Sequence, residues 1–465
     1  MNYIKIIVGV LIFPFVGFSA EDSKGLASPQ DSTHSIVDRT ASILLIDEGK
    51  QYLNMGKSRD ALTKFREALN RDRFNHRAAF WIGRTHYDMS NYGYALNYGK
   101  RAMEMNTGKP DGDLYFLMGQ SYHRRAQLDS ALYFFELADQ HLKRRKKRVY
   151  NTDYVLNQVL YAKKQADLPI NYTKELLKGD VNSGYDDYSP VLTSDYKQLY
   201  FVSRRPDTEG GGMNPDDQRF FEDIYRASWN EDQQIWDSIT NNIERLNSSG
   251  FDAVNHISQD GQRMYLTINT SVLDVPNPTR SSDIAIAQYT DQGRWTKPKP
   301  IVNKTINTSF FDGSVTLTAD ENTMYFASDR KANKSGMDIY VVEKVGKTWG
   351  EAKLLPTVIN SKRNETTPFI TPDNKYLFFS SDGHETMGGY DVFVSENLGN
   401  NRWSEPVNLG PEFNTVNNDT HFRYYKDIAQ AYFASYRLQG NKASIDMYQI
   451  DLKDWEIPVK KEEKK

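Results

Sequence analysis

Five aspartates recur at matched places in the second half of the chain: Asp195, Asp260, Asp320, Asp373 and Asp427. A carboxylate can act as general acid, general base, nucleophile or metal ligand, so its repetition raises a chemical question. The stretch around the fourth, FITPDNKYLFFSSDG from Phe369 to Gly383, sets the acid between two aromatic and β-branched runs. In TPDN and SQDG the Asp precedes Asn or Gly, residues that tolerate positive φ, and its carboxylate can accept the N–H groups of a tight hairpin. A catalytic pair needs two carboxylates placed differently about one substrate, with their pKa values pushed apart. Equivalent acids in every copy favour a turn-forming role for all five.

Other chemistries find little footing. The eight histidines show no metal-ligand spacing and cysteine is absent, so neither a metal site nor a disulfide is expected. The glycines of EGGGM and MGGYD precede no P-loop lysine, and no Gly-x-Ser-x-Gly elbow is present. No cofactor is expected.

The elements that carry the aspartates form a repeat. Each copy opens with an apolar residue and Asn followed by Ser or Thr, at Asn182, Asn247, Asn307, Asn360 and Asn414. The acidic turn follows, then an aromatic strand such as LYFVS or MYFAS, then Asp with an apolar pair at Asp223, Asp283, Asp338, Asp391 and Asp446. Trp236, Trp295, Trp349, Trp403 and Trp455 close the copies. The turn aspartates are spaced by 65, 60, 53 and 54 residues. A unit of this length with four short strands is the size of a β-propeller blade, which is stable only when blades close a ring. Residues 169–458 are therefore read as a five-bladed propeller, a sixth divergent blade being possible. The first copy is longest because Arg204 to Asp223 carries a Gly-rich, acidic insertion suited to a rim loop. These signals resemble the WD40-like repeats of the TolB type, called PD40.

Residues 35–168 read as helical repeats. A Gly is followed by Ala twelve and nineteen residues later in three copies: Gly49, Ala61, Ala68; Gly83, Ala95, Ala102; and Gly119, Ala131, Ala138. Small residues there let antiparallel helices approach closely. The pattern resembles the tetratricopeptide repeat (TPR), with a capping helix around Asn151 to Ala166. In this register the first helix of each pair lines a concave groove. It offers Ile46, Lys50 and Asn54, then Arg77, Phe80, Arg84 and Tyr87, then Phe116, Gln120, His123 and Arg124, with Asp88 in the groove and Asp113 at its edge. A basic, aromatic groove suits an acidic peptide or a C-terminal carboxylate, because Arg can bind carboxylate bidentately. The run KRRKKR, Lys143 to Arg148, is expected to end a repeat helix as a solvated face.

Residues 1–20 read as a secretory signal, with Lys5, an apolar run from Ile6 to Phe18 and small residues at the end; 21–34 read as a flexible segment and 459–465 as a charged tail. A net charge of −3 over 465 residues gives no global reason to expect nucleic acid. Helical repeats joined to PD40 blades resemble exported proteins of Bacteroidota, one relative being the periplasmic component of type IX secretion. That relative carries an OmpA-like domain after its propeller, and no such domain is expected here. The resemblance implies a periplasmic scaffold that binds envelope proteins, plausibly of type IX secretion or gliding, meets a membrane only through partners, and is not an enzyme. Two rivals are a glycan-binding module for polysaccharide uptake and a propeller glycosidase. For the latter, Glu365 is the most suggestive acid, aligned with Asp186, Asp252, Asp312 and Asp419 as a repeated structural acid.

Overall fold

The computed structural model describes residues 35–108, 111–210, 212–214, 218–243, 245–271, 279, 281–330 and 336–460. The expected leader, the 21–34 segment and most of the charged tail lie outside them. Eight helices come first: α1 (Ile36–Asn54), α2 (Ser58–Arg71), α3 (His76–Asp88), α4 (Tyr92–Met105), α5 (Gly112–Arg124), α6 (Leu128–His141), α7 (Arg144–Tyr150) and α8 (Thr152–Ala166). Local chemistry starts several of them. Ser35, Asn75 and Asp111 cap α1, α3 and α5 by accepting orphan N–H groups of the first turn.

The Gly and Ala pattern has a direct cause. A Cβ on Gly49 would stand 2.4 Å from the Phe65 ring, and one on Gly119 2.6 Å from Phe135. The six repeat alanines, from Ala61 to Ala138, are fully buried between the paired helices. Ile46, assigned to the groove from sequence, belongs to this core at 3% exposure. The basic run also departs from expectation. It begins the separate helix α7 instead of ending α6, and its cations find acids: Lys146 pairs with Asp113, and Lys147 lies 3.0 Å from Asp139.

The chain then turns to strands. After β1 (Lys174–Leu176), blade 1 is β2 (Asp187–Leu192), β3 (Gln198–Ser203), β4 (Asp223–Asn230) and β5 (Ile235–Thr240). Blade 2 is β6 (Phe251–Ile257), β7 (Arg263–Asn269), β8 (Asp283–Gln288) and β9 (Lys299–Pro300). Blade 3 is β10 (Asp312–Leu317), β11 (Thr323–Ser328) and β12 (Asp338–Val345), with β13 (Thr348–Trp349) and β14 (Lys353–Leu354) both pairing β12. Blade 4 repeats this with β15 (Glu365–Ile370), β16 (Tyr376–Ser381), β17 (Asp391–Gly399), β18 (Arg402–Trp403) and β19 (Val407–Asn408). Blade 5 is β20 (Asp419–Tyr425), β21 (Gln430–Gln439) and β22 (Lys442–Asp451). Its fourth strand is β1, which pairs with β22 through Lys174↔Ile450 and Leu176↔Tyr448. The start of the propeller thus locks its end, closing five antiparallel sheets into one ring.

The repeated Asn explains how blades join. Asn360 accepts from the Ile339 amide at 2.7 Å and returns a bond to the Ile339 carbonyl at 2.9 Å. Asn182, Asn247, Asn307 and Asn414 do the same for Met447, Ile224, Ile284 and Val392. Each side-chain amide acts as one rung of a neighbouring strand, satisfying backbone groups that would otherwise be buried unpaired.

Candidate functional site

Two sets of acids stand at opposite ends of the inner strands. Asp195, Asp260, Asp320 and Asp373 each accept a hydroxyl two residues before and an amide two residues after, as in Thr371 Oγ1 at 2.6 Å and Lys375 N at 3.1 Å from Asp373. Asp427 differs. It lies in a short 3-10 turn, Lys426–Ile428, and accepts from Tyr196 of blade 1. The lengthened turn carries a positive φ at Ala429 in place of the tight hairpin.

At the other rim, Asp187, Asp252, Asp312, Glu365 and Asp419 begin the inner strands and accept the amide of the Ser or Thr that follows the repeated Asn. The blade 1 member is therefore Asp187, not Asp186. Asp186 accepts from Arg219 and from the Ile445 amide. Asp187 and Asp312 also meet Arg205 and Arg330, whereas Asp252 has no cation on it among the described residues. Burial pushes Asp252 and Glu365 up to about 7. A carboxylic acid kept protonated near neutrality is what a general acid needs, but Glu365 shares that property with the equivalent Asp252.

The helices dock on this same rim. His123 Nε2 lies 2.8 Å from the Met387 carbonyl oxygen, and Arg124 donates to the Val416 carbonyl at 2.6 Å. From α8, Gln158 donates to Thr386 Oγ1 at 2.8 Å and to Gly388 O, while Ala162 packs on Met387 and Val416. Arg363 of the propeller lies 3.7 Å from the Tyr154 ring. Gly93 of α4 abuts Asn441, and Arg125, at the end of α5, donates to the Gly440 carbonyl. Burial, with Arg124 beside it, pushes His123 down to about 3, so it is neutral in this contact.

This docking revises the groove. His123 and Arg124 are consumed by the propeller and do not face a ligand. Phe116 is covered by Tyr150 of α7 in a stack 4.3 Å apart, and Asp113 accepts from Tyr150 and Lys146. What stays open belongs to the first two copies. Arg77 is exposed, with no side-chain partner among the described residues; Asn54 is also exposed. Lys50 lies 2.9 Å from Asp47 and 5.4 Å from the Trp81 ring, and Phe80 meets Trp81 edge-on. Arg84 reaches Asp88 at 3.0 Å and Gln120 at 3.2 Å, and lies over Tyr87. Trp81, absent from the sequence-based list, is the aromatic floor of this patch; its place beside Phe80 and one turn after Arg77 was available as a signal.

The class of protein follows from these elements: a TPR-type α-solenoid docked on a five-bladed β-propeller. No family model matches the chain, and no curated protein matches it. Among solved structures, a TPR of Spaghetti (RPAP3) bound to an HSP90 peptide is similar at 14% identity, over 27% of this chain and 95% of that one, with a TM-score of 0.24. A putative TolB from Agrobacterium tumefaciens is similar at 13%, over 63% and 89%, with a TM-score of 0.34. A thermostable family-43 glycoside hydrolase is similar at 12%, over 61% and 96%, with a TM-score of 0.39. The last likeness corrects the expectation that the chain is not an enzyme. Another similar solved structure also bears the name glycoside hydrolase.

Proposed function

We propose that the chain is an adaptor that holds protein partners on two surfaces of one rigid body, exported to the periplasm and kept at the outer membrane through those partners. The observation that carries this reading is the open half of the groove. There Arg77, exposed and with no side-chain partner among the described residues, lies one helical turn before Phe80 and Trp81, and Lys50 lies over the Trp81 ring, while the third copy's part of the concave face is closed by the chain itself. An exposed Arg and a Lys held over an aromatic ring fit an acidic peptide or a C-terminal carboxylate. A groove fixed against a propeller sets the distance between two bound components and raises their effective concentration. Type IX secretion or gliding machinery is the envelope complex that the sequence resemblance favours.

The test is cross-linking in the native cell, affinity purification of the tagged chain and mass spectrometry of what accompanies it. Envelope proteins recovered with the wild type and lost with Arg77→Glu support the reading. Equal recovery with Arg77→Glu removes the groove from it, and recovery of polysaccharide-uptake proteins alone removes the secretion complex.

A further inference from the structure

The central channel of the propeller holds a cation without a counter-charge. The inner strands β2, β6, β10, β15 and β20 adjoin one another around the ring. Ladder pairs with Tyr200, Tyr265, Tyr325, Phe378 and Tyr432 set five residues at one level: Val191, His256, Thr316, Phe369 and Arg423. Arg423 is the charged exception. It is 6% exposed, and its guanidinium leaves blade 5, donates from Nη2 to the Asn255 carbonyl of blade 2, and lies 5.8 Å from the Phe369 ring of blade 4. Blades 5 and 2 are not neighbours, so the group spans the channel.

One of its donors is idle among the described residues. The Nε is sealed from solvent with no hydrogen-bond partner, and no carboxylate pairs with Arg423 among the described residues. The acids of the inner strands lie at the far rim, and burial and Tyr425, not a carboxylate, are what act on its charge among the described residues. His256 and His421 stand close enough for its charge to disfavour their protonation, and Tyr188 meets His421 at 5.3 Å between rings. Both imidazoles sit deep in the ring yet keep part of their surface open. A guanidinium stays charged, carries five donors, and costs several kcal/mol to bury unpaired. That cost is recovered when an oxyanion supplies both the charge and the acceptors.

We propose that the channel is a binding site for a small oxyanion, a carboxylate or a phosphate group, held by Arg423 with His256 and His421 as flanking donors. This site is separate from the helical groove, and its failure would leave the adaptor reading intact. The experiment titrates the full chain calorimetrically with sodium phosphate and, separately, sodium acetate, at fixed pH and with ionic strength held by chloride. A saturable heat is expected, weakened at least tenfold in Arg423→Met and less in Arg423→Lys. Saturation by phosphate alone assigns a phosphate-bearing ligand, and saturation by acetate a carboxylate. No saturable heat with either anion, or equal binding by Arg423→Met, overturns the proposal. Should Arg423→Met fail to fold, wild-type crystals soaked in bromide give an independent answer: an anomalous peak within hydrogen-bond reach of Arg423 is expected, and a channel without one overturns the site.

Discussion

His123 of the third helical repeat stands 2.8 Å from the carbonyl oxygen of Met387 in the fourth blade, sealed from solvent on both sides. A neutral imidazole can donate that bond from Nε2 and needs no counter-ion, whereas a protonated one would bring a charge into a contact already occupied by Arg124. The two folds therefore meet through a group that tolerates burial only in one protonation state. Arg124 beside it satisfies a backbone carbonyl and not a carboxylate, so the contact depends on matching hydrogen bonds and shape instead of on charge pairing.

Acid should loosen this contact. His123 ordinarily titrates near 6.5 and is pushed down to about 3 when folded. Above about 6.5 neither state binds the proton and stability is whole; as the pH falls toward 3 the unfolded chain takes the proton first and stability is lost. Urea midpoints measured from pH 7 to pH 4 should fall less steeply in His123→Gln, which keeps an N–H for Met387, by up to about 1.4 kcal/mol per pH unit. Equal slopes would remove His123 from the acid response.

Glu365 should act with the opposite sign. Its carboxyl is raised from 4.5 to about 7 by burial, so its contribution is whole below 4.5 and is lost as the pH rises through 7. Glu365→Gln should be no more stable than wild type at pH 4.5 and should gain on it progressively up to pH 8, by roughly 3 kcal/mol at most. Chemical denaturation at the two pH values measures this difference. A constant gap between the two proteins would show that Glu365 is ionised in the folded ring.

The ring was legible in the sequence because a blade cannot stand alone: each must carry the same Asn, turn and aromatic strand, and repetition exposes them. The acid register slipped by one at Asp186 because two aspartates adjoin, and the spacing of five from Asn182 to Asp187, matched by Asn247 to Asp252, would have settled it. The docking of the helices left no such trace. It uses the carbonyls of Met387, Val416 and Gly388 and the close approach of Gly93 to Asn441, and backbone groups have no sequence signature. Arg423 was hidden in a pattern whose other members are Val191, His256, Thr316 and Phe369, where a single arginine should have drawn notice.

The repeated Asn should be worth more than a surface polar residue. Asn360 is buried and makes three bonds to main chain, with the Ile339 amide, the Ile339 carbonyl and the Leu355 carbonyl. Asn360→Ala leaves those groups buried and unpaired, at a cost of about 3 kcal/mol. Asn360→Asp keeps the acceptor but turns the donor toward two carbonyls as a charge, and should cost at least as much. Thermal unfolding should show both losses. A change within about 0.5 kcal/mol for Asn360→Ala would mean that water replaces the amide at this seam.

Arg77 and Arg84 separate binding from folding. Arg77 has no side-chain partner among the described residues, so Arg77→Glu should leave stability within about 0.5 kcal/mol while abolishing recovery of a groove ligand. Arg84 bridges Asp88 and Gln120 across two repeats, and Asp88 is already raised by burial with Arg84 opposing that rise. Arg84→Glu sets two carboxylates together at a solvent-screened site and should cost about 1 kcal/mol in addition to any loss of ligand. Thermal unfolding run beside the affinity purification distinguishes the two effects. If both variants lose the ligand and only Arg84→Glu loses stability, the open half of the groove is the binding surface; if ligand loss follows stability alone, the partner is held elsewhere.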